Sequence, residues 1–225
     1  MPQASSLPAA ADTLSGQDGA GPPHPDQAGA AAPEADEALM LRFAAGDVRA
    51  FERIYDRHER AVFRFLLRSV RIQAVADELL QEVWLSVIRY APTYKPQALF
   101  TTWLYRIARS RLVDHWRARD PDVLDSLDEP AGVGCDATVI DLVAADASLQ
   151  PEVRAMDRAQ ARAFVAAVEE LPGAQREAFL LHVEAGLTHE QIAGITGAGA
   201  ETVKSRIRYA CAKLRTTMQP WRATP

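Results

Sequence analysis

The most chemically suggestive stretch of this 225-residue sequence is Ala200–Arg215, AETVKSRIRYACAKLR, which follows the turn-like triplet Gly197-Ala198-Gly199. At 100° per residue, Val203, Ile207, Ala210 and Leu214 fall on one face of a helix and must pack inward. The outward face and its shoulders carry Glu201, Thr202, Lys204, Ser205, Arg206, Arg208 and Tyr209. Long donors at the start of a helix, with an apolar back to hold it, suit hydrogen bonding to base edges and phosphates in a duplex groove. Just upstream, Thr188 stands three residues before Gln191, the spacing of a capping box, so a short helix is expected to start there. Helix, glycine turn and basic helix together outline a helix-turn-helix. An amphipathic helix with a solvated cationic face would show the same outline, so this motif alone is of middling specificity.

No competing catalytic chemistry is legible. The histidines (His24, His58, His115, His182 and His189) form no spaced metal pair, and Cys135 and Cys211 are far apart without partners at ligand spacing. No nucleophile motif or phosphate-cradling glycine loop occurs, so no enzyme activity, metal or cofactor is expected. The N-terminus lacks the basic start and apolar core of a signal peptide, and no apolar run is long enough for a membrane span. A cytoplasmic protein without membrane insertion is expected.

Charge is segregated along the chain. The formal net charge is −5, yet residues 1–39 hold six acids and no Lys or Arg, and residues 120–153 hold nine acids and no base. Residues 40–119 carry fifteen bases against eight acids, and residues 154–225 carry ten against seven. Two basic blocks separated by an acidic one suit a bipartite nucleic-acid binder better than a uniformly basic coat.

The elements that must position these residues are helical throughout. Residues 1–35, rich in Ala, Pro, Gly and Asp, are expected to be a disordered tail. Leu39, Met40 and Phe43 recur at helical spacing, and Gly46-Asp47 supplies a stop followed by an N-cap. Phe51, Ile54, Tyr55, Val62, Phe65 and Leu66 mark a second helix. Val75, Leu79, Val83 and Val87 line a third, over about 74–90. A proline-interrupted APTYKPQA precedes a fourth, over about 99–117. Residues 36–119 thus form one expected all-α domain, 120–153 an acidic linker, 154–218 a second helical domain, and 219–225 a short tail. The fold class is all-α, in two small helical domains.

LPGAQREAFLLHVEAGLTHEQIAGITGAGAETVKSRIRYACAKLR resembles region 4, the promoter −35-reading domain, of extracytoplasmic-function (ECF) sigma factors of bacterial RNA polymerase. AAGDVRAFERIYDRH, ADELLQEVW and FTTWLYRIARSRLVDHWR resemble region 2 of the same family, in the same order. The resemblance implies an alternative sigma factor with core RNA polymerase, promoter DNA and an anti-sigma factor as partners. It places Glu201, Thr202, Lys204, Ser205, Arg206, Arg208 and Tyr209 at the −35 element. It brings Tyr94, Lys95, Gln97 and Trp103 to the unpaired −10 strand, where an aromatic beside a lysine suits an extruded base. Arg106, Arg109, Arg111 and Arg117 would lie along duplex phosphates near the −10 element, with Ser110 near the −10 strand. Asp77, Glu78, Gln81 and Glu82, acidic and unsuited to DNA, would dock on the polymerase. Ser110 stands where the family often has Asn, Glu201 where Gly is frequent, and Pro96 where a loop glycine is common. Tyr209 and Cys211 replace common arginines. These departures bear on promoter sequence rather than class. A sigma-mimicking adaptor that sequesters an anti-sigma factor, or a non-sigma helix-turn-helix regulator, would share the C-terminal motif. An adaptor has no need of the basic helix or the aromatic loop.

Overall fold

A computed structural model describes residues 34–119 and 151–222, with side chains described for 158–221 in the second block. The expected tail and most of the acidic linker lie outside the described residues. Among the described residues all regular structure is helical: α1 (Asp36–Ala44), α2 (Val48–Val70), α3 (Gln73–Tyr90), a 3-10 turn (Ala91–Thr93), α4 (Phe100–Arg119), α5 (Pro151–Glu169), α6 (Gly173–Ala185), α7 (His189–Thr196), α8 (Ala200–Thr217) and the short α9 (Gln219–Arg222). The last of these falls where a tail was expected. No described helix is long and apolar enough to cross a membrane.

Local chemistry sets the helix ends. Gly46 takes φ +102°, and the Asp47 carboxylate accepts from Arg49 N–H (3.0 Å) and Ala50 N–H (3.3 Å), capping α2. That carboxylate also meets the Arg42 guanidinium at 2.5 Å, which together with the cap bonds holds it below the usual Asp range. Thr188 and Gln191 exchange both bonds of a capping box at the start of α7. Gly186 (φ +65°) and Gly197 (φ +77°) end α6 and α7 in the left-handed conformation that glycine adopts without strain.

The N-terminal core gathers Leu39 and Met40 of α1 with Ile54, Val62, Phe65 and Leu66 of α2. Leu79, Val83 and Val87 of α3 and Phe100, Leu104 and Leu112 of α4 complete it. Phe51 and Tyr55 are only half-buried and close over Trp84, at centroid separations of 5.8 and 4.9 Å. Helix α3 buries more than its expected stripe, because Ala76, Leu80, Trp84 and Ser86 are also inside while Val75 is half-exposed.

The acids that begin α1 work structurally. Asp36 bridges Arg57 (2.6 Å) and His58 Nε2 (2.7 Å), and Glu37 Oε1 accepts from Phe100 N–H at 2.6 Å, capping α4 from another helix.

In the C-terminal half α6 and α8 pack along each other, with α7 crossing α8. Phe179, Leu180, Leu181, Ile192, Val203, Ile207, Ala210 and Leu214 form their shared core. The described helices from α1 to α9 belong to one packed unit, in which α6 lies on α2 and α7 lies on α4.

Candidate nucleic-acid and polymerase interface

Helix α8 meets its neighbours as its wheel dictates: Val203, Ile207, Ala210 and Leu214 are all buried. Glu201, Thr202 and Lys204 are exposed near its start, and Ser205, Arg208 and Tyr209 are half-exposed. Lys204 stands 3.7 Å from Glu201 across one turn. The Arg208 guanidinium lies 5.2 Å from the Tyr209 ring centroid and donates to its hydroxyl at 3.3 Å. That contact narrows the rotamers open to Arg208 and aims a planar donor fork along the outward face.

Arg206 is a correction. It was expected among the reading residues, but it is only 6% exposed. It lies three residues after Val203 and four before Ala210, and the inward stripe is wide enough to take in both Arg206 and Cys211.

The residues expected at the −10 strand divide in two. Lys95 and Gln97 are exposed on the loop before α4, beside an exposed Leu99. Tyr94 was expected to face the strand but is 7% exposed, stacked edge-on against Trp103 (5.0 Å) and near Phe100 (6.3 Å). Its ring fills the junction of the loop with α4. Burial, with Glu37 and Asp36 nearby, pushes its hydroxyl pKa up to about 12. That hydroxyl has no hydrogen-bond partner among the described residues. Removing it should therefore cost nothing. Tyr94→Phe is expected to leave the melting temperature unchanged or slightly higher, whereas Tyr94→Ala should cost about 3–5 kcal/mol of stability. Thermal melts of both variants check this.

Trp103 is half-buried and shows part of its ring. Arg106, Ser110 and Arg117 are exposed on α4. With Arg109, Val113, Asp114 and Ile195 they line an open cleft of about 230 Å³ between α4 and α7. Arg109, expected over duplex phosphates, is instead turned to α6, with its Nε donating to Glu177 Oε1 at 2.8 Å. Glu177 supplies a nearer, buried anion.

On α3 the four expected docking residues, Asp77, Glu78, Gln81 and Glu82, are all exposed. The same face continues into Leu85 (62% exposed) and Ile88 (45%), which the sequence reading missed. The signal was available: both are large apolar residues off the Leu79–Val83–Val87 stripe. An acidic patch running into exposed apolar side chains suits a protein partner better than solvent or DNA.

The matches to known families follow this division of the chain. A model of Sigma-70 region 2 matches residues 54–121, and one of Sigma-70, region 4 matches residues 161–214. The RNA polymerase sigma-H factor of Pseudomonas aeruginosa is 30% identical over 83% of this chain and 95% of its own length. RNA polymerase sigma factor CarQ of Myxococcus xanthus is 32% identical over 78% and 93%. ECF RNA polymerase sigma factor RpoE of Cereibacter sphaeroides is 32% identical over 76% and 88%. Among solved structures, CnrH in complex with the cytosolic domain of CnrY covers 83% of this chain and 99% of its own, with a TM-score of 0.56 at 20% identity. The sigma factor RpoE of Bartonella quintana, in complex with the anti-sigma factor NepR, covers 75% and 96%, with a TM-score of 0.54 at 22% identity. These two share the fold. With both regions matched in order, and relatives at or above 30% identity aligned nearly end to end, the chain belongs to the extracytoplasmic-function family of RNA polymerase sigma factors.

Proposed function

We propose that this ECF sigma factor docks on core RNA polymerase through the α3 face Asp77, Glu78, Gln81, Glu82, Leu85 and Ile88, and reads the −35 element with α8. Lys204 and Arg208 supply the donors on α8, assisted by Glu201, Thr202, Ser205 and Tyr209. Lys95, Gln97 and Trp103 meet the opened −10 strand, and Arg106, Ser110 and Arg117 follow nearby phosphates. The observation that carries this reading is the helix-turn-helix: its glycine turn is left-handed and its apolar back is buried, while the start of α8 is presented outward. Tyr94 supports the loop from beneath rather than meeting a base.

The protein positions and captures DNA strands while the polymerase performs the chemistry, so it is not itself an enzyme. It works with the polymerase in the cytoplasm. Residues 36–119 and 154–218 are its two working modules, joined by the acidic 120–153 linker, with a tail at 1–35 and the short α9 following the second module. An anti-sigma factor completes the regulation; the similar sigma factor RpoE of Bartonella quintana is held in complex with one, NepR.

Run-off transcription tests the reading. Full-length protein is added to sigma-free core polymerase with fragmented genomic DNA of the source organism. Discrete new transcripts sharing a two-part upstream motif are expected. Failure both to bind core and to yield transcripts would sink it and bring the adaptor forward.

A further inference from the structure

Helix α6 presents Glu177, Leu181 and Glu184 at positions i, i+4 and i+7, hence on one face. Both carboxylate side chains are only 5% exposed. Two buried acids on one helical face are costly unless paired. Every partner they have in these ion pairs comes from the other half of the chain. Glu184 Oε2 accepts from Arg64 Nε at 2.7 Å, and its Oε1 accepts from Arg68. Glu177 takes Arg109 at 2.8 Å. Tyr105 Oη adds a bond to the Glu184 carbonyl at 3.4 Å, and its own titration is pushed up by burial.

This arrangement conflicts with simultaneous reading of two promoter elements. Ile195 shares a cleft with Arg106, Ser110 and Arg117. Helix α8 begins at Ala200, so its start lies within about 18 Å of chain from that cleft. The −35 and −10 elements are about 25 base pairs apart by name, or roughly 85 Å along a B-form duplex. The 120–153 stretch is long enough to permit separation, since 34 residues reach at most about 110–120 Å.

We propose that Glu177 and Glu184 form an ionic latch on Arg64, Arg68 and Arg109, holding the free protein in a closed conformer that cannot engage both promoter elements. Freed of Glu177, Arg109 joins Arg106 and Arg117 along the −10 phosphates, so opening and −10 engagement are coupled. The −10 part of this coupling rests on the function proposed above; the latch itself does not. The α3 face stays exposed in the closed conformer, but seating both halves on core at the spacing of the two elements needs them apart, so closure reduces apparent affinity for core by the open fraction.

Small-angle X-ray scattering on the full chain measures the latch directly. Glu184→Arg, and separately the milder Glu177→Gln/Glu184→Gln pair, should raise the radius of gyration by roughly a quarter or more as the two halves part. Adding Arg64→Glu and Arg68→Glu to Glu184→Arg reverses the pairing and should restore the compact value. A latch-independent loss of packing would not be rescued in this way. Helical circular dichroism, retained in each variant, guards against unfolding. In titrations of core polymerase, the Gln pair should half-saturate at a concentration at least about three-fold lower than the wild type. An unchanged radius in both opened variants overturns the latch. So does an expanded protein that titrates core no better than the wild type. If neither protein binds core while the radius still responds and the reversal rescues it, the latch stands and the proposed function falls.

Discussion

Alanine at both Lys204 and Arg208 is expected to cut run-off transcription from a cognate promoter by roughly 30- to 1000-fold, with core binding unchanged. The two side chains are the long donors left accessible in the first half of α8, Lys204 at 61% side-chain exposure and Arg208 half-exposed against Tyr209. A well-placed contact of this kind is worth about 1–3 kcal/mol; two neighbours one turn apart add less than fully, about 2–4 kcal/mol together, which at 1.4 kcal/mol per decade gives that range. The single variants should separate by kind. Losing Lys204, a mobile point charge, should weaken binding evenly across sequences and flatten the salt dependence by about one unit of slope. Losing Arg208 should relax preference at one base position, because a planar fork held over a tyrosine ring discriminates by geometry. Arg206→Ala supplies the contrast. That side chain is buried, so its loss should lower the melting temperature, and transcription per folded molecule should stay near the wild type. Equal losses at positions 204, 206 and 208, at constant stability, would mean that α8 is read from another face.

Arg206 also marks the boundary of what the sequence made legible. The Asp47 cap, the Thr188–Gln191 box and the Gly197 turn rest on bonds between residues at most four apart, and each forms as its residue types require. The inward line of α8 follows from periodicity alone. Arg206 sits at the edge of that line, where the width of the neighbouring surface decides burial and no property of α8 does. Tyr94 is a similar case. Its type suggested stacking on a base, and it does stack edge-on, but on Trp103 nine residues along, because the loop folds back over α4. The least legible features are the longest in range. Glu37 caps Phe100 across 63 residues, Arg109 meets Glu177 across 68, and Arg68 meets Glu184 across 116. Periodicity and capping rules act within a turn or two, so a carboxylate that is a solvated charge by those rules becomes a buried partner only once two helices meet. The family resemblance located the two modules, but it carried no information about the contacts between them in this chain.

The α3 face is where the second large effect is expected. Leu85→Asp combined with Glu82→Lys should weaken binding to core polymerase by about 100-fold or more, without moving the melting temperature by more than about 2 °C. All the altered atoms are exposed, and surface changes of this type stay within about ±0.5 kcal/mol of stability. The binding effect is larger because the two residues do different work. Leu85, 62% exposed on an otherwise well-packed helix, has the apolar area of an anchor, and burying a charge there at a dry interface centre costs several-fold more than it does in water. Glu82, one turn before it, belongs with Asp77, Glu78 and Gln81 to the acidic patch that attracts a basic surface, and reversing it places like charges together. The two substitutions should separate kinetically. Glu82→Lys alone should slow association and weaken its salt dependence, since long-range attraction acts on encounter. Leu85→Asp alone should speed dissociation at nearly constant association rate. Core affinity unchanged in the double variant would remove α3 from the interface. The exposed Leu41, Val48 and Ile72 would then be the next apolar surfaces to test, but only Leu85 and Ile88 lie on the same helical face as the acidic patch.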